Sequence, residues 1–126
     1  MLPSGGKHLN IGGIYMKKIF FTITGTSHYY GQEYFEPKMT VKLIKEPDNE
    51  YDSEAIRVEL KGLGKVGYVA NSPNTVLGKS WSAGRLYDKI GDTAKGTVLY
   101  VLPKGVLCKV KGIRLDEDFA KEADDE

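Results

Sequence analysis

Apolar residues fall at every second position in a series of short runs, the period of a strand with one buried face. In KKIFFTIT, Ile19, Phe21 and Ile23 alternate with their neighbours. In KMTVKLIKE, Met39, Val41 and Leu43 share one face, and Thr40 and Lys42 the other. In AIRVEL, Ile56, Val58 and Leu60 alternate with Arg57 and Glu59. KVGYVA follows from Lys65, with Gly62 and Gly64 supplying a turn, so these two runs read as a hairpin. TAKGTVLYVLP and GVLCKVKG meet at Pro103-Lys104-Gly105, which predicts a turn with glycine at a positive φ.

The stretch between the hairpins reads differently. Ser72 as N-cap and Pro73 at the first helical position predict a short helix through Thr75, Val76 and Leu77 to Lys79. A second helical turn is predicted from Arg85 to Ile90, stopped by Gly91. Six short strands with one or two short helices predict a mainly β fold, an OB-like or SH3-like, partly closed six-stranded β-barrel.

The 126 residues suit one domain. Residues 1–15 hold two Gly-Gly pairs and little periodicity, and read as a flexible leader. Met16 followed by two lysines looks like an alternative start. Residues 16–114 are the expected barrel domain, and 115–126 an acidic tail, either a short helix from near Asp116 or disordered. The net charge of +1 hides a split. Residues 1–114 carry 17 Lys/Arg against 10 Asp/Glu, and residues 115–126 only Lys121 against seven acids. A basic body favours a polyanionic partner, although an ordinary solvated surface would look the same. The tail is expected to shield the basic face as a competing polyanion.

The single cysteine, Cys108, excludes an internal disulfide. One Cys and two His cannot supply a Cys-pair zinc site, so no metal or cofactor is expected. Cys108 lies in an apolar run and reads as buried and inert. MKKIFFTIT has too short an apolar stretch for a signal peptide, and Thr22 and Thr24 interrupt it. The expected location is cytoplasmic, with no membrane partner.

No arrangement of nucleophile and base is visible, and GKVGY lacks the spacing and ending of a phosphate loop. Glu46, Asp48, Glu50, Asp52 and Glu54 alternate, but without the central glycine and terminal bidentate Glu of a calcium loop. They read as a solvated acidic loop, and the chain as a binding module, not an enzyme.

One combination is more specific. A strand ends in Gly25-Thr26-Ser27-His28-Tyr29-Tyr30-Gly31. A second leads into Glu46-Pro47-Asp48-Asn49-Glu50-Tyr51-Asp52, then Ala55-Ile56-Arg57-Val58, with Gly67-Tyr68-Val69 downstream. This pattern, over roughly residues 18 to 112, resembles the HIRAN domain. That family is fused to SNF2-type DNA-remodelling ATPases and also occurs as standalone bacterial proteins. The resemblance implies a modified OB-like barrel. It further implies recognition of single-stranded DNA, particularly a free 3′ end, in repair or replication, working with a DNA-processing enzyme supplied in trans.

Residue by residue, the family's paired aromatics match Tyr29 and Tyr30, its Tyr-Asp pair matches Tyr51 and Asp52, and its late aromatic is placed at Tyr100. Rings in such positions stack on bases, at about 1–3 kcal/mol per base. A carboxylate at Asp52 accepts from a terminal hydroxyl and repels the phosphodiester of an internal nucleotide. Two positions depart from the pattern. His28 stands where the DNA-binding member has an arginine, and Asn71 where it has a lysine, which implies weaker phosphate contacts. Lys42, Lys45, Arg57, Lys79 and Arg85 are the basic residues available to compensate.

Structural roles compete at each position. Adjacent tyrosines on a strand face opposite ways, which would send one of Tyr29 and Tyr30 into the core. Asp52 also fits an Asx turn, and Asn49 and Pro47 fit turn positions. Tyr68 and Trp81 fit packing anchors. Two other functions remain open from the residues: a protein-interaction adaptor of the same fold, and a ligand binder or enzyme built on Ser80–Asp88, SWSAGRLYD.

Overall fold

Alternation of apolar side chains gives six strands that close into a ring. The computed structural model describes residues 9–11, 14–16 and 18–111. Strands β1 (Leu9–Ile11) and β2 (Ile14–Met16) pair antiparallel with each other, Asn10 opposite Tyr15. All but Met16 lies in the stretch 1–15 read as a leader, where the sequence shows no strand period. The rest of that leader and the acidic tail lie outside the described residues.

Residues 20–111 form a separate unit. Its strands are β3 (Phe20–Thr24), β4 (Thr40–Lys45), β5 (Ile56–Leu60), β6 (Gly64–Val69), β7 (Thr93–Leu102) and β8 (Gly105–Val110). They follow one another round a closed barrel in the order β3-β6-β5-β4-β7-β8, and every pairing is antiparallel. The expected OB-like, mainly β barrel is the fold, and the ring is complete.

The inward positions are those the period picks out. Phe21, Ile23, Val41, Leu43, Ile56, Val58, Val66, Val98, Val106 and Cys108 are buried. Each large side chain so placed contributes about 1.5–3 kcal/mol relative to exposure. Burial also pushes the Cys108 thiol well above its ordinary pKa, which leaves it protonated and inert. Gly96 on β7 lies directly under the Phe21 ring, where an added Cβ would meet Cζ at 2.7 Å.

Three local predictions change. The helix expected from Ser72 does not form. Ser72 accepts from the amides of Thr75 and Val76, but the Leu77 amide donates instead to Thr22 Oγ1 at 3.1 Å, and Gly78 turns at φ 52°. The segment then lies against the outside of β3, with Thr22 and Ser80 sharing a 2.8 Å hydrogen bond and Trp81 N donating to Phe20 O. That cover explains why Thr22 is buried on the outward side of its strand. The later helix, α1 (Ala83–Tyr87), starts and stops earlier than expected, because Ser82 Oγ caps it by accepting from Arg85 N. The β7–β8 turn uses Pro103 and Lys104, and Gly105 is not in the left-handed region. Glycine is required there for space: a Cβ would meet Thr22 Cγ2 at 2.8 Å.

Candidate nucleic-acid interface

Two loops project from the barrel and carry most of the candidate residues. The first follows β3. Gly25 at φ 74° ends the strand, and single 3-10 turns at Thr26–His28 and Gln32–Tyr34 follow, separated by Gly31 at φ 84°. Thr26 is buried and anchors the loop. Tyr29 and Tyr30 therefore leave the strand, and neither enters the core: they are 39% and 42% exposed. The expectation that one of them packs inside is wrong, because strand alternation stops at Gly25. Tyr34, which the sequence reading passed over, is half exposed and meets Tyr30 edge-on, with ring centroids 5.5 Å apart. A third tyrosine within six residues was the available signal. His28 is exposed on the turn just before the pair.

The second loop joins β4 to β5 and is held by its own side chains. Asn49 Oδ1 accepts from the amides of both Tyr51 (2.8 Å) and Asp52 (3.0 Å), and its Nδ2 donates to Glu46 Oε1 at 3.0 Å. The turn role read for Asn49 is the one it fills. Asp52 caps the next turn through Oδ1, accepting from Glu54 N at 2.9 Å. This geometry pushes Tyr51 outward, where it is 90% exposed.

A continuous chain of contacts links the loops. Lys65 Nζ sits 5.8 Å over the Tyr29 ring and donates to Tyr68 Oη at 2.9 Å. Tyr68 donates to Glu46 Oε1, also at 2.9 Å, and Glu46 holds Asn49 as described. Beyond Asn49 comes Asp52, whose Oδ2 accepts from Asn71 Nδ2 at 2.9 Å. Asn71 Oδ1 in turn accepts from Gly84 N in the first turn of α1. Asn71 thus has both ends of its amide engaged and fixes Asp52. Two of the roughly four acceptor positions on the Asp52 carboxylate are used, and the others remain open.

Electrostatics centre on Glu46. Partial burial opposes its ionisation, but hydrogen bonds from Asn49, Tyr68 and Arg57, with the Lys65 charge, outweigh that and hold its pKa below the ordinary 4.5. Arg57 is spanned between Glu59 (2.8 Å) and Glu46 (3.3 Å), which makes it a structural cation. Lys45 lies over the Tyr87 ring and Arg85 over Trp81, at 4.4 and 3.9 Å. Of the basic residues considered as substitutes for phosphate contacts, these three already have partners.

Tyr100 stands apart from the chain of contacts. It is 60% exposed on β7, just past a bulge, and Leu102 beyond it is also exposed. Gln32 Nε2 donates to Leu102 O at 2.6 Å and ties the tyrosine loop to that strand end. Among the described residues no cluster of His, Cys, Asp and Glu could hold a metal ion, and no helix is long and apolar enough to cross a membrane.

Comparison with known proteins agrees with this architecture. The HIRAN domain family matches residues 16–111. The crystal structure of the HIRAN domain of human HLTF superposes with a TM-score of 0.50 at 19% identity, covering 74% of each chain. A protein from Lactobacillus plantarum superposes with a TM-score of 0.48 at 22% identity, covering 75% of this chain and 97% of the other. No curated protein matches the sequence. The chain belongs to the HIRAN domain family, whose domains are nucleic-acid-binding modules.

Proposed function

We propose that this HIRAN domain is a non-catalytic module that binds single-stranded DNA and takes its free 3′ end between the two loops. The observation that carries the reading is the unbroken chain of contacts from Tyr29 through Lys65, Tyr68, Glu46 and Asn49 to Asp52 and Asn71. It holds open tyrosine rings and a carboxylate with spare acceptor capacity in a fixed relation. Tyr29, Tyr30, Tyr34 and Tyr51 offer π-faces that any base can use. Asp52 accepts from the terminal 3′-hydroxyl and repels a phosphate in its place. Asn71 acts by positioning Asp52, and Lys65 supplies positive charge beside Tyr29. His28 borders this site, and Tyr100 would meet a strand only as it leaves along β7. Such a module serves DNA repair or replication alongside a DNA-processing enzyme in trans.

Fluorescence anisotropy with labelled single strands ending in 3′-hydroxyl or 3′-phosphate, and with blunt duplex, tests this at two salt concentrations. The 3′-hydroxyl strand is expected to bind tightest, and Asp52→Ala to erase the difference between the two ends while the protein stays folded. Equal binding of both single strands by the wild type overturns end recognition. A second reading, a protein-interaction adaptor, rests on the exposed Tyr100 and Leu102, which lie outside the contact chain. It gains if no strand binds at low salt.

A further inference from the structure

Lys95, Lys42, Glu59 and Lys65 occupy one transverse row across four neighbouring strands. Lys95 on β7 lies opposite Lys42 on β4, Lys42 opposite Glu59 on β5, and Glu59 opposite Lys65 on β6. At a strand spacing of about 4.8 Å, the row covers about 14 Å from the backbone of Lys65 to that of Lys95. A groove of about 490 Å³ opens along it, lined by Lys42, Lys61, Lys95 and Glu59 together with Gly62 and Gly64 of the β5–β6 turn.

The charges in this groove are unbalanced. Glu59 is committed to Arg57 Nε at 2.8 Å. Among the described residues Lys42, Lys61 and Lys95 form no ion pair. Two like charges directly opposite each other on an antiparallel pair destabilise it. A fold that keeps Lys42 facing Lys95, with the neighbouring Glu59 carboxylate already paired to Arg57, has a cost that a bound polyanion would reduce. The row begins at Lys65, which sits over Tyr29, and the groove opens beside it at Gly64.

We infer that the groove formed by Lys42, Lys61 and Lys95 holds the phosphates of the strand whose 3′ end occupies the loops, so that the DNA crosses the outer face of β6, β5, β4 and β7 in that order. This rests on the end-binding reading and adds to it a path, and hence a footprint longer than the terminal nucleotides. The lysines contribute charge and no base discrimination.

The test compares 3′-hydroxyl strands of about four and about twelve nucleotides, both within the site sizes of about 4–16 nucleotides found on such barrels. Wild-type protein is expected to bind the longer strand more tightly. The double variant K42Q/K95Q should lose that gain and keep the affinity for the short strand. Its salt dependence on the long strand should flatten by about 0.7 per lysine removed. Removing the repulsion should also raise Tm in low-salt buffer, which shows that the variant is folded. An unchanged length effect and salt slope in the variant overturn the inference. Lysine-dependent binding of inorganic triphosphate without any length effect overturns the strand as occupant. Lysine-dependent binding of the long strand with no preference for a 3′-hydroxyl leaves the groove standing and removes the end site instead.

Discussion

The two loops that frame the site are built in opposite ways. The loop between β4 and β5 is wired by side chains: Asn49 makes three hydrogen bonds, Asp52 two, and Glu46 joins them to Tyr68, Arg57 and Lys65. The loop after β3 is shaped by its backbone, with glycines at positive φ at both ends of the tyrosine pair and a buried Thr26. In the β4–β5 loop Glu46, Asn49 and Asp52 hold the shape, and what is left for a ligand is the Tyr51 ring, part of the Asp52 carboxylate and the exposed carboxylates of Asp48, Glu50 and Glu54. In the loop after β3 the rings of Tyr29, Tyr30 and Tyr34 stay partly exposed, with Lys65 over the first and the other two edge-on to each other.

The largest effect that separates the loops is expected from Asn49→Ala. Loss of three hydrogen bonds should cost about 2 kcal/mol of stability, read from urea unfolding, and strand binding should weaken with it. Tyr51→Ala, two residues away, should change stability by less than about 0.5 kcal/mol, since the ring is almost wholly exposed. It should still weaken binding of a 3′-hydroxyl strand about tenfold, as stacking is lost. A Tyr51 variant that unfolds, or an Asn49 variant as stable as wild type, would break the contrast.

Gly31→Ala probes the backbone-built loop. At φ 84° and ψ 170°, a region open essentially only to glycine, an alanine should cost about 1–3 kcal/mol and move Tyr30 relative to Tyr34, lowering strand affinity with little change in the acid stability of the protein. The smallest effect concerns pH. The Glu46 carboxyl has a folded pKa below 4.5, so its stabilising contribution is complete above that value and is lost as pH falls through the folded pKa. Wild-type Tm should therefore drop more steeply than that of Glu46→Gln between about pH 5 and pH 3. Parallel curves would mean that the network around Glu46 is not coupled to folding.

Strands were legible because burial on one face imposes a period that side chains record directly. Val41 and Leu43, or Ile56, Val58 and Leu60, leave no other reading. The loops record less. Tyr29 and Tyr30 sit between two turns of three residues each, too short to carry a period, so a strand reading overran Gly25. Ser72-Pro73 is a sound helix start, but a hydroxyl 55 residues away, Thr22 Oγ1, takes the amide that the helix needed. The β1–β2 pair was missed because each strand is three residues long. Asn71 stands where the family pattern has a lysine for phosphate. In the structure its amide bridges Asp52 and Gly84, a role that depends on two segments distant in sequence.

The completeness of the ring limits how this domain can meet other proteins. Each of its six strands has a hydrogen-bonded neighbour on both sides, although β3 and β6 share only the pairs Ile23–Val69 and Thr24–Tyr68, so the described barrel offers an incoming peptide little backbone to extend. A protein partner must therefore recognise side chains on the barrel, and it competes with DNA only where it covers the same rings or lysines. Occupancy by a partner and occupancy by a strand then become separable by surface substitutions alone, without altering the backbone of the barrel.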